Sequence, residues 1–260
     1  MPRRENVTLF NADSPTVTRV VPSANRNVVR IYVPSILVLH YTGMKTGDAA
    51  LERMCDPAAE VSSHYLVYED GRIDQLVPES QRAWHAGVSS WAGERNVNSH
   101  SLGIEIVNPG HANGYPDFAE AGIAATITLC QDIIKRHQLI RADRVVAHSD
   151  IAPRRKQDPG EKFPWKRFAD AGVGLWIEPV PISDGPALAP GDQGKEVEQL
   201  QMMFARYGYG AEITRIYDAL TWDIVAAFQR HFRPARVDGI ADRSTIETLR
   251  RLLTASSAIA

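Results

Sequence analysis

The stretch "SLGIEIVN", Ser101 to Asn108, decides the class of fold. Leu102, Ile104 and Ile106 alternate with Gly103, Glu105 and Val107, the period of two that belongs to a β-strand. Glu105 therefore faces away from Ile104 and Ile106, a carboxylate within an apolar run. Downstream, "FAEAGIAATITLCQDIIKRHQL", Phe118 to Leu139, carries Ile123, Ile127, Cys130 and Ile134 at helical spacing. "RVVAH", Arg144 to His148, then reads as another short strand. Strands separated by a helix of several turns predict an α/β domain, a mixed central β-sheet flanked by helices.

Upstream, "SILVLHYTG" opens with four apolar residues, Ile36 to Leu39, as a buried strand does, and ends at His40. "SSHYLVYEDGRIDQLVP" alternates on either side of Asp70-Gly71, which predicts a hairpin. On the C-terminal side, "IEPVPISDGPALAPGDQG", Ile177 to Gly194, is rich in proline and glycine and reads as a linker. Three helical patterns follow, "KEVEQLQMMFARYG", "TWDIVAAFQRHF" and "DRSTIETLRRLL". They predict a small C-terminal three-helix domain that gains from docking on the first domain, since so short a unit is marginal alone. The resulting division is an N-terminal arm over 1–29, a catalytic domain over 30–178, a linker over 179–189 and a helical domain over 190–256.

The chain has 260 residues, 44% of them hydrophobic and 23% charged, with a formal net charge of −2. That balance gives no electrostatic footprint for nucleic acid or an anionic membrane. No apolar run approaches the ~20 residues of a membrane span. Cys55 and Cys130 lack C-x-x-C spacing and read as ordinary free thiols. The first thirty residues begin with basic side chains but hold no continuous apolar core and no A-x-A-type site, so they carry no secretory signal as written and read as an irregular arm.

His40 and His148 each end an apolar run, and Asp158 follows in the loop "HSDIAPRRKQDPG". Singly, each has an ordinary reading: a hydrogen-bonded histidine at a strand end, or turn chemistry before a proline. Together, two imidazoles and a carboxylate make the donor set of a catalytic zinc, which keeps its fourth place for water. Glu105 is either a general base whose pKa is raised by its apolar strand or a structural ion pair with Arg144 or Lys156. Lys156, two residues before Asp158, is either an oxyanion stabiliser or a solvated loop cation. Asp150 either hydrogen-bonds a ligand histidine or caps a turn.

The segments "LVLHYTG", "VSSHYLVYEDGRIDQLVPES", "RAWHAGVSSWAG", "NSHSLGIEIVN" and "VVAHSDIAPRRKQDPGEKFPW" resemble, in order, the motifs of the zinc-dependent N-acetylmuramoyl-L-alanine amidases of type 2. Peptidoglycan recognition proteins share their fold. The resemblance runs from about Arg30 to about Trp176. It implies one zinc ion per chain on His40, His148 and Asp158, with Glu105 and Lys156 catalytic. It also implies that Trp84 and His85 line the substrate groove, and that Ala152 and Arg155 belong to the part of the loop that holds the stem peptide. His64 is either close to that cleft or a satisfied structural histidine. The C-terminal pieces, a Gly-x-x-Gly at 191–194, "LQ", "AFQ" and "DGIADRST", resemble a peptidoglycan-binding three-helix module.

The implied partners are peptidoglycan and muropeptides, and the implied reaction is cleavage between N-acetylmuramic acid, its 1,6-anhydro form included, and L-alanine. The whole arrangement is similar to periplasm-facing lipoprotein amidases of Gram-negative bacteria, and the first domain also to cytosolic amidases that recycle anhydro-muropeptides. The expected location is cytoplasmic as the sequence stands, with periplasm or outer membrane as the alternative if a leader is missing. Two other classes compete. A non-catalytic wall receptor would be expected to lack a zinc ligand, and a metalloprotease would carry an H-E-x-x-H helix that is absent here.

Overall fold

Ile36, Leu37, Val38 and Leu39 are wholly buried, which is what an unbroken apolar run requires of a strand covered on both faces. The computed structural model describes residues 9–257. The first eight residues, on which part of the arm expectation falls, lie outside them. The strands are β1 (Arg19–Val20), β2 (Arg26–Asn27), β3 (Ile36–Tyr41), β4 (Tyr65–Val67), β5 (Ile73–Gln75), β6 (Arg82–Ala83), β7 (Ser101–Ile106) and β8 (Val145–Ala147). Six form one sheet in the order β1-β5-β4-β7-β3-β8, and β2 pairs with β6 separately. β3 and β4 run parallel to β7, and β5 antiparallel to β4, so the sheet is mixed as expected. The helices are α1 (Gly47–Cys55), α2 (Val97–His100), α3 (Glu120–Arg136), α4 (His148–Ile151), α5 (Trp165–Asp170), α6 (Lys195–Tyr207), α7 (Ala219–Phe232) and α8 (Arg243–Ser257). Among the described residues no helix is long and apolar enough to cross a membrane.

The described chain divides into two compact units: residues up to Gly87 with Val97–Val145, and Val88–Asn96 with the residues from Val146 on. In the first unit, the hairpin forms between β4 and β5 with Gly71 at φ +86°, the left-handed region that glycine tolerates. On α3 the buried stripe is Gly122, Ile123, Thr126, Leu129, Cys130 and Ile133. Ile127 and Ile134 from the expected stripe lie at its half-buried flank. Close approach explains the offset. A Cβ on Gly122 would stand 2.9 Å from the Tyr68 carbonyl, so the helix seats its glycine against the hairpin. Thr126 joins the stripe because its hydroxyl is satisfied by donating to the Gly122 carbonyl at 2.7 Å.

A buried polar cluster closes this unit. Glu79 accepts from Tyr65 Oη at 2.6 Å, Arg136 Nη2 at 2.9 Å and His137 Nε2 at 2.7 Å. Burial alone would raise its pKa; the bonds from His137, Arg136 and Tyr65 outweigh it and hold the carboxyl down at about 2. A depressed carboxyl stabilises the fold above its unfolded pKa of ~4.3, and that contribution fades as pH falls from there towards about 2. Glu79→Gln is expected to cost about 3 kcal/mol at neutral pH, read from chemical denaturation. The deficit should shrink in acid, and a deficit that does not change with pH would contradict this account.

In the second unit, α6, α7 and α8 form the predicted three-helix module. Asp218 caps α7 by accepting from Thr221 N at 2.8 Å, and Asp242 accepts from Thr245 N in the first turn of α8 at 2.7 Å. α6 stops at Gly208, φ +141°, against which the Trp91 ring packs so closely that a Cβ would lie 2.9 Å from it. The proline-rich stretch is fastened to α8: Val180 N donates to Thr248 Oγ1 at 3.0 Å, and Ser244 Oγ donates to the Val180 carbonyl at 2.5 Å. Cys55 and Cys130 are free thiols.

Candidate active site

Strand register builds the first half of the site. In the parallel pairing of β3 with β7, His40 stands opposite Glu105 and Val38 opposite Gly103. Side chains at paired positions leave the sheet on the same face, so His40 and Glu105 emerge together. Gly103 has a purpose on that face: a Cβ there would lie 2.6 Å from the His85 ring. His85 occupies that space, and its Nδ1 meets His40 Nε2 at 3.0 Å while its Nε2 meets Ser101 Oγ at 3.2 Å. Ser101 Oγ spends its proton on the Val97 carbonyl at 2.6 Å. That bond assigns the others. His85 Nε2–H donates to the serine, His85 Nδ1 accepts from His40 Nε2–H, and the lone pair of His40 therefore lies on Nδ1. A metal ligand needs that lone pair.

Gly103→Ala should force the His85 ring off this position. The expected result is a loss of about 1–3 kcal/mol of stability together with weaker zinc retention; unchanged zinc affinity would show that His85 does not orient His40.

The second half comes from one turn. After β8 the chain enters α4 at His148 and returns at Asp158. Ser149 N donates to the Asp158 carbonyl at 3.0 Å, closing the loop, and Asp158 Oδ2 meets His148 Nδ1 at 3.0 Å. The Asp158–Pro159 peptide is cis. Ala152, buried, accepts from the backbone N–H groups of Arg155 and Lys156, which fixes the segment between. Lys156 is half-buried, and exposed Arg155 donates from Nη2 to the Val88 carbonyl.

His40, His148 and Asp158 each offer one ligand atom, and these atoms all lie within 4.8 Å of one another. All three residues are buried, at 1%, 3% and 6% exposure. In a tetrahedral zinc site, bonds of ~2.0–2.2 Å separate ligand atoms by about 3.3 Å. The three atoms converge closely enough for one ion to lie between them and carry that donor chemistry, so the residues fit the ion.

The chain is also similar to known proteins. Residues 31–161 match the family described as N-acetylmuramoyl-L-alanine amidase. The N-acetylmuramoyl-L-alanine amidase AmiD of Escherichia coli (strain K12) is 39% identical over 222 residues, covering 81% of this chain and 79% of that protein. The chain belongs to the N-acetylmuramoyl-L-alanine amidase family.

Two solved structures extend the likeness across the amidase. AmiD from E. coli, in complex with the substrate anhydro-N-acetylmuramic acid-L-Ala-D-γ-Glu-L-Lys, superposes with a TM-score of 0.73 at 37% identity, covering 88% of this chain and 91% of that one. AmpDh3 from Pseudomonas aeruginosa, in complex with anhydromuramic pentapeptide, gives 0.72 at 31% identity, covering 98% and 100%. Residues 193–249 match the family described as "Putative peptidoglycan binding domain".

Other residues of the amidase fall as follows. Trp84 is half-buried, donates from Nε1 to Asn27 Oδ1 at 2.8 Å, and lines a cavity of about 430 Å³ with Asn27, Glu60, Arg82, Gly87 and Asn98. His85, its neighbour, is turned inward onto His40. His64 is wholly buried, with Nδ1 accepting from Gly103 N at 3.0 Å. Burial, and then the Arg30 charge, push its pKa down to about 3, so it is a neutral structural histidine that ties β4 to β7. Asp150 resolves towards the turn: its Oδ2 accepts from Ala147 N at 2.8 Å. Its other partners, Tyr209 and His231, lie in the C-terminal module, and neither the motifs around them nor the "NSHSLGIEIVN" around Ser101 show from sequence which side chains they would bond.

Proposed function

We propose that the amidase hydrolyses the amide joining the lactyl group of N-acetylmuramic acid, including its 1,6-anhydro form, to L-alanine of the peptidoglycan stem peptide. The convergence of His40, His148 and Asp158, with Glu105 in register beside His40, carries this reading. The muropeptides bound in the two superposed relatives support the substrate class.

His40, His148 and Asp158 would hold one zinc ion per chain, which would supply Lewis acidity and a lowered pKa, towards ~7, for water at the site. His85 holds His40 in the tautomer that presents Nδ1. Glu105 takes the proton of the attacking water and returns it to the departing alanine nitrogen. Lys156 offers its ammonium to the oxyanion of the tetrahedral intermediate. Arg155 pairs with a carboxylate of the stem peptide, as a forked guanidinium is suited to do, and Ala152 shapes the same segment. Trp84 offers an aromatic wall to the substrate. Residues 30–178 form the catalytic domain, and residues 190–256 hold the chain to the wall. Metal analysis tests the centre of this reading. The purified chain should carry about one zinc per molecule, lose it to a strong chelator and regain activity when zinc returns. A chain that takes up no zinc in a zinc-replete medium would move the reading to a wall receptor.

A further inference from the structure

We infer that Tyr209 and His231, both in the helical module, are positioning residues for the metal site, holding the Asp150 carboxylate that fixes the turn bearing His148 and Asp158. The inference rests on the reading of His148 and Asp158 as zinc ligands.

Asp150 is wholly buried. Its Oδ1 accepts from Tyr209 Oη at 2.7 Å, and its Oδ2 accepts from His231 Nδ1 at 2.7 Å and from Ala147 N at 2.8 Å. The donors come from 59 and 81 residues downstream and from the amide just before His148. The carboxylate is thus a bolt: one end fastens the backbone where His148 begins, the other sits in the module. A buried carboxylate depends on its donors, because losing one exposes it to an uncompensated desolvation cost and drives it to move. Moving Asp150 moves the amide of Ala147 and, with it, His148.

The donors are themselves held. His231 is buried, its ring stacked on Trp165 with centroids 3.7 Å apart. Tyr209 is buried with its ring edge-on to Trp91 at 5.1 Å. Two further bonds join the same parts: Ser90 N donates to the Ile151 carbonyl at 2.9 Å, and Ala92 N donates to the Gly208 carbonyl at 2.7 Å. A module that served only to tether the enzyme to the wall would need none of these. Here the module is a structural component of the catalytic turn.

The test measures zinc affinity by chelator competition in the full chain, alongside the absorption spectrum of the cobalt-substituted protein. Tyr209→Phe removes one donor and keeps the ring. His231→Leu removes the other, and His231→Asn restores an N–H near the position of Nδ1 while also lacking the ring. Gln229→Ala is the control for general damage, since Gln229 bonds within the module, to the Ile240 carbonyl and the amides of Asp238 and Gly239. Tyr209→Phe and His231→Leu should each weaken zinc binding about tenfold and alter the cobalt spectrum. His231→Asn should recover most of the affinity, and Gln229→Ala should lower Tm with wild-type zinc affinity. Wild-type affinity in both Tyr209→Phe and His231→Leu would overturn the inference, as would an equal loss in Gln229→Ala. A wild-type chain that binds no zinc would instead remove the metal reading, and this inference with it.

Discussion

Glu105→Gln should lower kcat by about three orders of magnitude, the scale of a lost general base, while the protein still binds zinc as the wild type does. Glutamine keeps the size of the side chain and its ability to hydrogen-bond, but it takes up no proton at neutral pH. The position makes the substitution discriminating. Glu105 stands opposite His40 in the β3–β7 register and is half-buried. It is absent from the convergent ligand group, so removing its charge leaves the metal donors intact. Zinc content and kcat should therefore separate. If Glu105→Gln turns over at a rate near wild type, another group moves the proton. If it loses zinc along with activity, Glu105 acts on the metal and not on the water.

His148→Ala should couple the two quantities. It removes one of three donors and leaves a histidine and a carboxylate, too few for a tightly held ion, so zinc and amidase activity should be lost together. The turn itself should survive. Ser149 N still bonds the Asp158 carbonyl, and Asp150 still bonds Ala147 N, Tyr209 and His231. Circular dichroism and Tm close to those of the zinc-free wild type, with zinc absent by metal analysis, would meet the expectation. Full zinc occupancy in this variant would remove His148 from the ligand set.

The contrast between these two residues shows what was readable in the chain. Glu105 and His40 were legible because strand alternation and apolar runs are local signals, and one register then set them side by side. The hairpin at Asp70-Gly71 and the three helices of the module were legible for the same reason. The exact stripe of α3 was not. Ile127 and Ile134 fit a helical period as well as Thr126 and Ile133 do, and only the close approach of Gly122 to the Tyr68 carbonyl selects between them. The support of the metal turn was also hidden. Asp150, Tyr209 and His231 meet through tertiary folding across dozens of residues, and a single hydrogen bond leaves no periodic trace. His231 in "AFQRHF" looks like any polar residue near a helix end, and its role appears only when its ring is seen against Trp165 and its Nδ1 against Asp150. The His40–His85–Ser101 relay was half-visible: "AWHAG" marked His85, but the direction of its bonds depends on Ser101 donating to Val97.

The measurement that tests the account most directly is a mass-spectrometric digest of an anhydro-muropeptide by the purified chain, with and without a zinc chelator. The account predicts two products, the free stem peptide beginning at L-alanine and the anhydro-N-acetylmuramic acid bearing a free lactyl carboxylate, both disappearing when zinc is removed. An intact muropeptide under zinc-replete conditions, or cleavage that continues unchanged in the chelator, would contradict it.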